Sequence, residues 1–290
     1  MTEKKRLPFY IILSLLSWAS AYPVVRLALR DIPPLPLAAL RYFIAACVAG
    51  LWLVWKKPVL PGRREFPRLF VCGAFGIAAY NILFNLGEQT VSSGATSLII
   101  ASAPIMAGIM AVLCAGESLS LFGWIGSLVS FGGVTLIVMG QKGGLTFGSG
   151  AGLELLAAFC TASYVVLQRP LVQRYGGLTV TACVLMIGAF LLLPWLKEGS
   201  VILYQAPRRA WLCVFELAIL PAAIGYAAWS HVIGIMGAAR GTLLLYLLPP
   251  LTFVMAFILE GSWPDWTTWC GGAVVMSGVI LAHKKTRRSI

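Results

Sequence analysis

Residues 104–134 read PIMAGIMAVLCAGESLSLFGWIGSLVSFGGV, and residues 249–279 read PPLTFVMAFILEGSWPDWTTWCGGAVVMSGV. At a constant offset of 145, Pro104 falls on Pro249, Gly116 on Gly261, Trp124 on Trp269, Gly126 on Gly271, Gly133 on Gly278 and Val134 on Val279. Apolar runs match one another by composition alone. Pro, Gly and Trp held in one register do so much less readily. Near the start of the chain, Ala19-Ser20 and Arg26 fall on Ala162-Ser163 and Arg169 at an offset of 143. The chain therefore reads as two related halves, 8–139 and 151–283.

Each half is a series of apolar runs. Over 290 residues the hydrophobic fraction is 59% and the charged fraction only 11%, with a mean hydropathy of +0.88. A soluble domain carries about 25% charged residues on its surface, so this chain cannot clothe itself in polar groups, and lipid is the medium its apolar faces suit. A helix needs about 20 apolar residues to cross the hydrocarbon. The expected spans are 8–28, 36–55, 68–87, 93–114, 121–139, 151–170, 178–196, 209–231, 240–259 and 266–283. The first run has no convincing small-residue cleavage site, so it reads as a span rather than a removed signal. The fold class expected is an all-α integral membrane protein of ten transmembrane helices.

The net charge of +12 would suggest nucleic acid in a soluble protein, but its distribution argues otherwise. With the N-terminus placed inside, 15 of the 22 Lys and Arg residues fall in inside segments, among them Lys56, Lys57, Arg63, Arg64, Arg68, Arg169, Arg174 and Arg240. Arg26, Arg30, Lys142, Lys197, Arg208 and Arg209 fall outside, and Arg41 lies within a span. Basic residues in short connections are retained on the cytoplasmic side. The expectation is an inner-membrane protein with both termini cytoplasmic, partnered by the bilayer and not by nucleic acid. Five spans per half then make the second half enter from the opposite side. Inverted repeats of this kind generate two states open to opposite sides, so alternating access is the expected way of working.

The duplicated signature resembles the drug/metabolite transporter superfamily, in particular its tandem EamA-type domains. In the first half it reads Pro104, Gly116-Glu117, Trp124-Ile125-Gly126 and Gly132-Gly133-Val134. In the second it reads Pro249, Gly261-Ser262, Trp269-Cys270-Gly271 and Gly278-Val279, with Ser262 in the acidic place. Glu117 reads as a structural helix-end residue. The resemblance spans nearly the whole chain and implies a ten-helix carrier with a central cavity. Members move amino acids, other metabolites or drugs, and the bacterial aromatic amino-acid exporters are the group it is most similar to. The motifs encode the architecture and not the solute.

Candidate site residues come from polar groups that hydrocarbon would reject. Arg41 and Glu216 lie well inside their spans, where a charge costs several kcal/mol unless paired or hydrated. Arg41 is a candidate for a substrate carboxylate, and Glu216 for proton coupling. The other readings are snorkelling to the outer headgroups or a structural pair for Arg41, and a pair with Arg41 or with a loop arginine for Glu216. Asn81, Asn85 and Glu88 form one helical stripe, with Tyr80 adjacent. Trp18 and Tyr22, Tyr164, Tyr226 and Trp229, and Tyr246 add aromatics with polar tips, suited to stacking on an amphipathic solute. Each could equally serve helix–helix packing. Pro104 and Pro249 are candidate gating kinks, since proline frees a carbonyl within a span.

Other classes fit less well. Two histidines, seven scattered cysteines and no H-E-x-x-H, Walker A loop or Ser/His/Asp set leave an enzyme without machinery. The same absence excludes a self-powered ATP pump. No metal or cofactor is called for, and a monomer is compatible with the pattern. A channel or receptor stays open as an alternative, as does export of drugs or other metabolites.

Overall fold

Without water, a backbone must satisfy its own N–H and C=O groups, and a helix does so within one segment. The computed structural model describes residues 3–87, 90–91, 93–139, 147–260 and 266–283, and those residues are helical with short connections. Glu88, Lys142, Gly261 and Ser262 lie outside the described residues, as does the basic run after His283.

The helices are α1 (Glu3–Ala28), α2 (Pro34–Lys56), α3 (Phe66–Gly87), α4 (Ser93–Ile100, then Ala103–Ala115), α5 (Leu121–Met139), α6 (Ala151–Tyr175), α7 (Gly177–Gln205) and α8 (Arg208–Met236). They continue as α9 (Ala238–Gly241, a 3₁₀ stretch Thr242–Leu247, then Leu248–Glu260) and α10 (Trp266–His283). Among the described residues, eight of these helices are long and apolar enough to cross a membrane. The outward surface agrees: Leu51, Leu113, Phe190 and Ile280 are each about two-thirds exposed or more. A contiguous surface of that kind is not a water-facing one.

Several helices depart from α geometry, and they do so in matching places. Ala74–Ala79 of α3 and Ala218–Gly225 of α8 are wound as π-helix, a form that concentrates at functional sites. α4 is interrupted at residues 101–102, just before Pro104, and α9 passes from 3₁₀ to α-helix just before Pro249. Both prolines therefore stand at breaks in the regular α winding, where their missing N–H costs no helical bond.

The tightest packing joins α5 to α10. A Cβ on Gly133 would stand 2.8 Å from the Gly271 carbonyl oxygen, and one on Gly271 would stand 2.8 Å from the Gly133 carbonyl oxygen. Further along, Gly126 meets Gly278 in the same manner. The two helices therefore run antiparallel with their backbones in contact, as small-residue seams permit in a membrane. Between the glycine pairs, Ser130 Oγ donates to the Val275 carbonyl oxygen at 3.3 Å. Away from this seam, the main core is built from α2, α3 and α6 to α9 and includes Tyr42, Ile77, Tyr164, Leu185 and Trp229.

Candidate functional site

The two π-helical turns decide what stands at the centre. A π turn shifts the hydrogen-bond register and leaves a carbonyl without its usual helical donor. Gly76 in α3 offers its carbonyl oxygen to the Tyr226 hydroxyl at 3.1 Å. Pro221 in α8 offers its own to the Trp18 indole N–H at 3.1 Å. Gly76 and Pro221 are 145 positions apart, so the same device occurs once in each half.

Around these carbonyls the aromatic side chains converge. The Trp18 ring lies 5.5 Å from Tyr226 in an edge-on arrangement and 5.3 Å from Trp229. Tyr42 and Tyr164 approach Tyr226 at 6.3 Å and 6.0 Å. The Tyr42 and Tyr226 hydroxyls are 3.4 Å apart. These are ring separations at which offset and edge-on aromatic pairs attract. Gly76 is required here, because a Cβ would meet the Tyr164 ring at 2.6 Å.

A cation stands beside this wall. Arg41 Nη2 donates to Asn81 Oδ1 at 2.8 Å and to the Tyr42 hydroxyl at 3.2 Å. Asn81 is held by donating Nδ2 to the Ile77 carbonyl oxygen at 2.7 Å, inside the π turn. Both acceptors of the guanidinium are neutral, and Arg41 Nε is buried with no hydrogen-bond partner. Glu216 takes a hydrogen bond from Ser20 Oγ at 3.2 Å on one oxygen, while its other oxygen has none. A neutral polar cluster adjoins Tyr226, whose carbonyl oxygen accepts from Thr181 Oγ1 at 3.4 Å. Thr181 and Ser230 hydroxyls are 2.7 Å apart, and Ser230 Oγ donates to Gln168 Oε1 at 3.1 Å.

Of the expected site residues, the structure gathers Trp18, Arg41, Asn81, Tyr164, Tyr226 and Trp229 into one centre, with Glu216 near its edge. Asn85 and Tyr246 stand apart from it. Asn85 lines a separate surface cavity of about 230 Å³ with Pro33 to Pro36, Leu86, Trp195 and Glu198. Tyr80 stacks along its own helix on Phe84 at 5.6 Å. Tyr246 pairs with Ser127 at 3.3 Å, between α9 and α5. Tyr22 sits on α1, but its side chain lies outside the described part of the structure. Tyr42 is the residue sequence reasoning missed. It is almost wholly buried and adjoins Arg41, and a polar-tipped aromatic next to an embedded cation was the available signal.

Among the described residues, three ion pairs tie the halves together. Asp31 receives Arg209 through two hydrogen bonds, from Nη2 at 3.0 Å and Nε at 3.1 Å. Arg174 Nη1 meets Glu65 Oε1 at 2.6 Å. Arg169 Nη1 meets Glu117 Oε1 at 2.8 Å. The Glu117 carboxylate also takes the backbone N–H groups of Ala238 and Ala239, each at 2.9 Å. It thereby serves the first turn of α9, where backbone donors have no helical partner.

An apolar-skinned helical protein with a buried polar and aromatic centre belongs to the class of membrane transporters. The EamA-like transporter family model matches residues 6–139 and again residues 148–283, and the chain belongs to that family. It is 33% identical over 93% of its length to "Uncharacterized transporter YdfC" of Bacillus subtilis, covering 89% of that protein. It is 32% identical over 95% of its length to a "Probable terminal-alkyne amino-acid exporter" of Streptantibioticus cattleyicolor, covering 93% of it. "Uncharacterized inner membrane transporter YedA" of Escherichia coli is 24% identical, over 91% of this chain and 86% of that protein. A solved structure aligns with a TM-score of 0.79 at 19% identity, covering 96% of each chain, which supports the fold alone. Relatives and family are transporters and not enzymes.

Proposed function

We propose that this protein is an inner-membrane carrier that exports small amino acids or related metabolites, aromatic or otherwise neutral, by alternating access and without ATP. The carrying observation is the buried Arg41 guanidinium. Among the described residues its acceptors are neutral and its Nε–H is orphaned, and it lies beside a wall of Trp18, Tyr42, Tyr226 and Trp229. A cation held in that way suits a carboxylate, since charge-assisted bonds in a poorly screened site are strong. The aromatic wall suits an apolar side chain on the same solute. Glu216, with one satisfied oxygen, suits a site that gains and loses a proton. The relative from Streptantibioticus cattleyicolor bears the name of an amino-acid exporter, which agrees with this reading.

The carrier has ten spans, arranged as inverted repeats over 8–139 and 151–283. Three observations support this. Ser130 bonds Val275, its own counterpart at the offset of 145, as residues beside a two-fold axis would. The antiparallel glycine seam exchanges Gly126 with Gly271 and Gly133 with Gly278 under that offset. The freed carbonyls of Gly76 and Pro221 are counterparts as well. Both termini are cytoplasmic, on the side carrying the basic 56–68 connection, Arg169 and Arg174. The Glu117 tie then closes the cytoplasmic side, and Pro104 and Pro249 mark the bends that move.

Counterflow of labelled aromatic and aliphatic amino acids in proteoliposomes tests this, with and without a proton gradient. Saturable, trans-stimulated flux separates a carrier from a channel. Arg41→Ala should abolish flux of carboxylate-bearing substrates, and Glu216→Gln should remove the response to the gradient. Full activity in both variants would refute the assignment.

A further inference from the structure

The chain leaves α2 at Lys57, in the left-handed region at φ 45°, and begins α3 at Phe66. This connection meets the end of α6. Between them lies a cavity of about 550 Å³ whose wall includes Arg63, Arg64 and Arg174, with Glu65 and Tyr175. That volume is in the range of small-ligand sites. Three guanidinium groups line it beside one carboxylate. The carboxylate is already engaged, since Arg174 Nη1 meets Glu65 Oε1 at 2.6 Å. Among the described residues, no acid pairs with Arg63 or Arg64. The cavity therefore carries a positive charge in excess of what its own residues neutralise, and an anion is the ligand that relieves it.

Its place in the fold narrows the choice of anion. The cavity lies where three apolar helices end: Lys56 closes α2, Phe66 opens α3 and Tyr175 closes α6. That is the level at which hydrocarbon gives way to headgroups. Val59 and Leu60 in its wall are exposed, as are Trp55 and Phe66 on the two helices that the connection joins. Lys56 Nζ lies 3.9 Å over the Trp55 ring, and aromatic and basic side chains gather in this way at a membrane surface. Apolar side chains bared around a cationic cavity match a molecule with an anionic head and an apolar tail. An acidic peptide or a nucleic acid would use the arginines and leave the apolar rim in water.

We propose that this cavity binds the headgroup of an anionic phospholipid, with Arg63 and Arg64 taking the phosphate and the acyl chains lying against Val59, Leu60 and Phe66. Guanidinium groups suit the task because each can give a phosphate two parallel hydrogen bonds, and basic pockets between membrane helices hold such headgroups. Arg63 and Arg64 belong to the first half and Arg174 to the second, so a headgroup that reaches all three bridges the halves. Arg174 is then contested: the Glu65 carboxylate and the lipid phosphate compete for one guanidinium. The site is independent of which solute the central Arg41 receives.

The test uses the full chain in a non-ionic detergent, titrated with phosphatidylglycerol or with phosphatidylcholine of the same acyl chains. Native mass spectrometry counts bound lipid, and the thermal midpoint reports its effect. Phosphatidylglycerol should bind more tightly and raise the midpoint. Arg63→Gln with Arg64→Gln should weaken it roughly 25-fold, about fivefold for each basic residue at a membrane surface. Lys197→Gln with Arg208→Gln removes the same charge from exposed positions outside the cavity and should change little. Glu65→Gln removes the competitor for Arg174 and should tighten binding severalfold, an effect that a loss of structure would not produce. Equal losses in the two double variants would show diffuse attraction to the whole surface and overturn the proposal. Phosphatidylcholine bound as tightly as phosphatidylglycerol would overturn it too, as would weaker binding in Glu65→Gln. Inorganic phosphate or glycerol 1-phosphate that raised the midpoint as far as the lipid at equal concentration would make this a site for a soluble anion, and would overturn it as well.

Discussion

Adding one methyl group at each seam glycine of α5 and α10 probes the packing and the repeat together. A Cβ at Gly133 would lie 2.8 Å from the Gly271 carbonyl oxygen and 2.7 Å from the Val275 nitrogen. Carbon and oxygen settle at about 3.3–3.6 Å in close backbone contacts. Gly133→Ala therefore forces the helices apart by roughly 0.5–0.8 Å. A gap of that size forfeits about a quarter to a half of the dispersion energy of each contact it opens, and overpacking of this kind costs about 1–3 kcal/mol. Gly278→Ala should cost the same, since Gly278 meets Gly126 as Gly133 meets Gly271. Gly126→Ala and Gly271→Ala should form a second matched pair. Gly132→Ala is the control: nothing lies within 4 Å of its Cβ, so it should be neutral or slightly stabilising. Thermal midpoints of the five variants, read by fluorescence-detected size exclusion in detergent, should fall by several degrees in the four seam variants and not in Gly132→Ala. A Gly133→Ala protein as stable as Gly132→Ala would refute the close packing. Unequal losses within the matched pairs would refute the symmetry.

The remaining expectations concern the centre. Arg41→Lys should keep part of the carboxylate transport that Arg41→Leu loses, because the charge survives while the bonds to Asn81 and Tyr42 do not; sided flux assays distinguish the two, and equal activity would refute a charge role. Asn81→Leu removes the neutral acceptor at 2.8 Å and should raise the apparent KM by about tenfold, the worth of one hydrogen bond to a charged group. Trp18→Phe keeps the ring but loses the bond to the Pro221 carbonyl. It should leave carboxylate dependence intact while lowering thermal stability by about 1 kcal/mol.

How much of this was legible beforehand follows from what each signal depends on. Helix existence is a composition signal, and the long apolar runs carried it. α7 shows where boundaries escape: after a 3₁₀ turn at Leu193–Trp195 it runs on to Gln205, past the expected end at 196, along an amphipathic continuation that carries Lys197, Glu198 and Gln205. Arg41 and Asn81 stood out because hydrocarbon penalises them, whatever their neighbours. Their pairing did not, since it depends on two helices being rotated toward each other. Helical spacing alone also grouped Asn85 with Asn81. The stripe is a property of an ideal α-helix, and α3 is wound as π-helix just before these residues, which turns Asn81 to the centre.

That winding also explains why the centre forms where it does. A regular helix spends every carbonyl on itself and offers a bound solute only side chains. In each half a carbonyl of the π turn, Gly76 and Pro221, takes an aromatic donor, Tyr226 and Trp18. Those two bonds cross between halves: Tyr226 of the second reaches Gly76 of the first, and Trp18 of the first reaches Pro221 of the second. A relative movement of the halves must therefore break or exchange them. The same aromatics that would stack on a solute are thus the ones whose hydrogen bonds report how the halves stand, and a solute that displaces Tyr226 from Gly76 acts on both at once. Under the proposed alternating access, binding and rearrangement would be coupled through these two carbonyls.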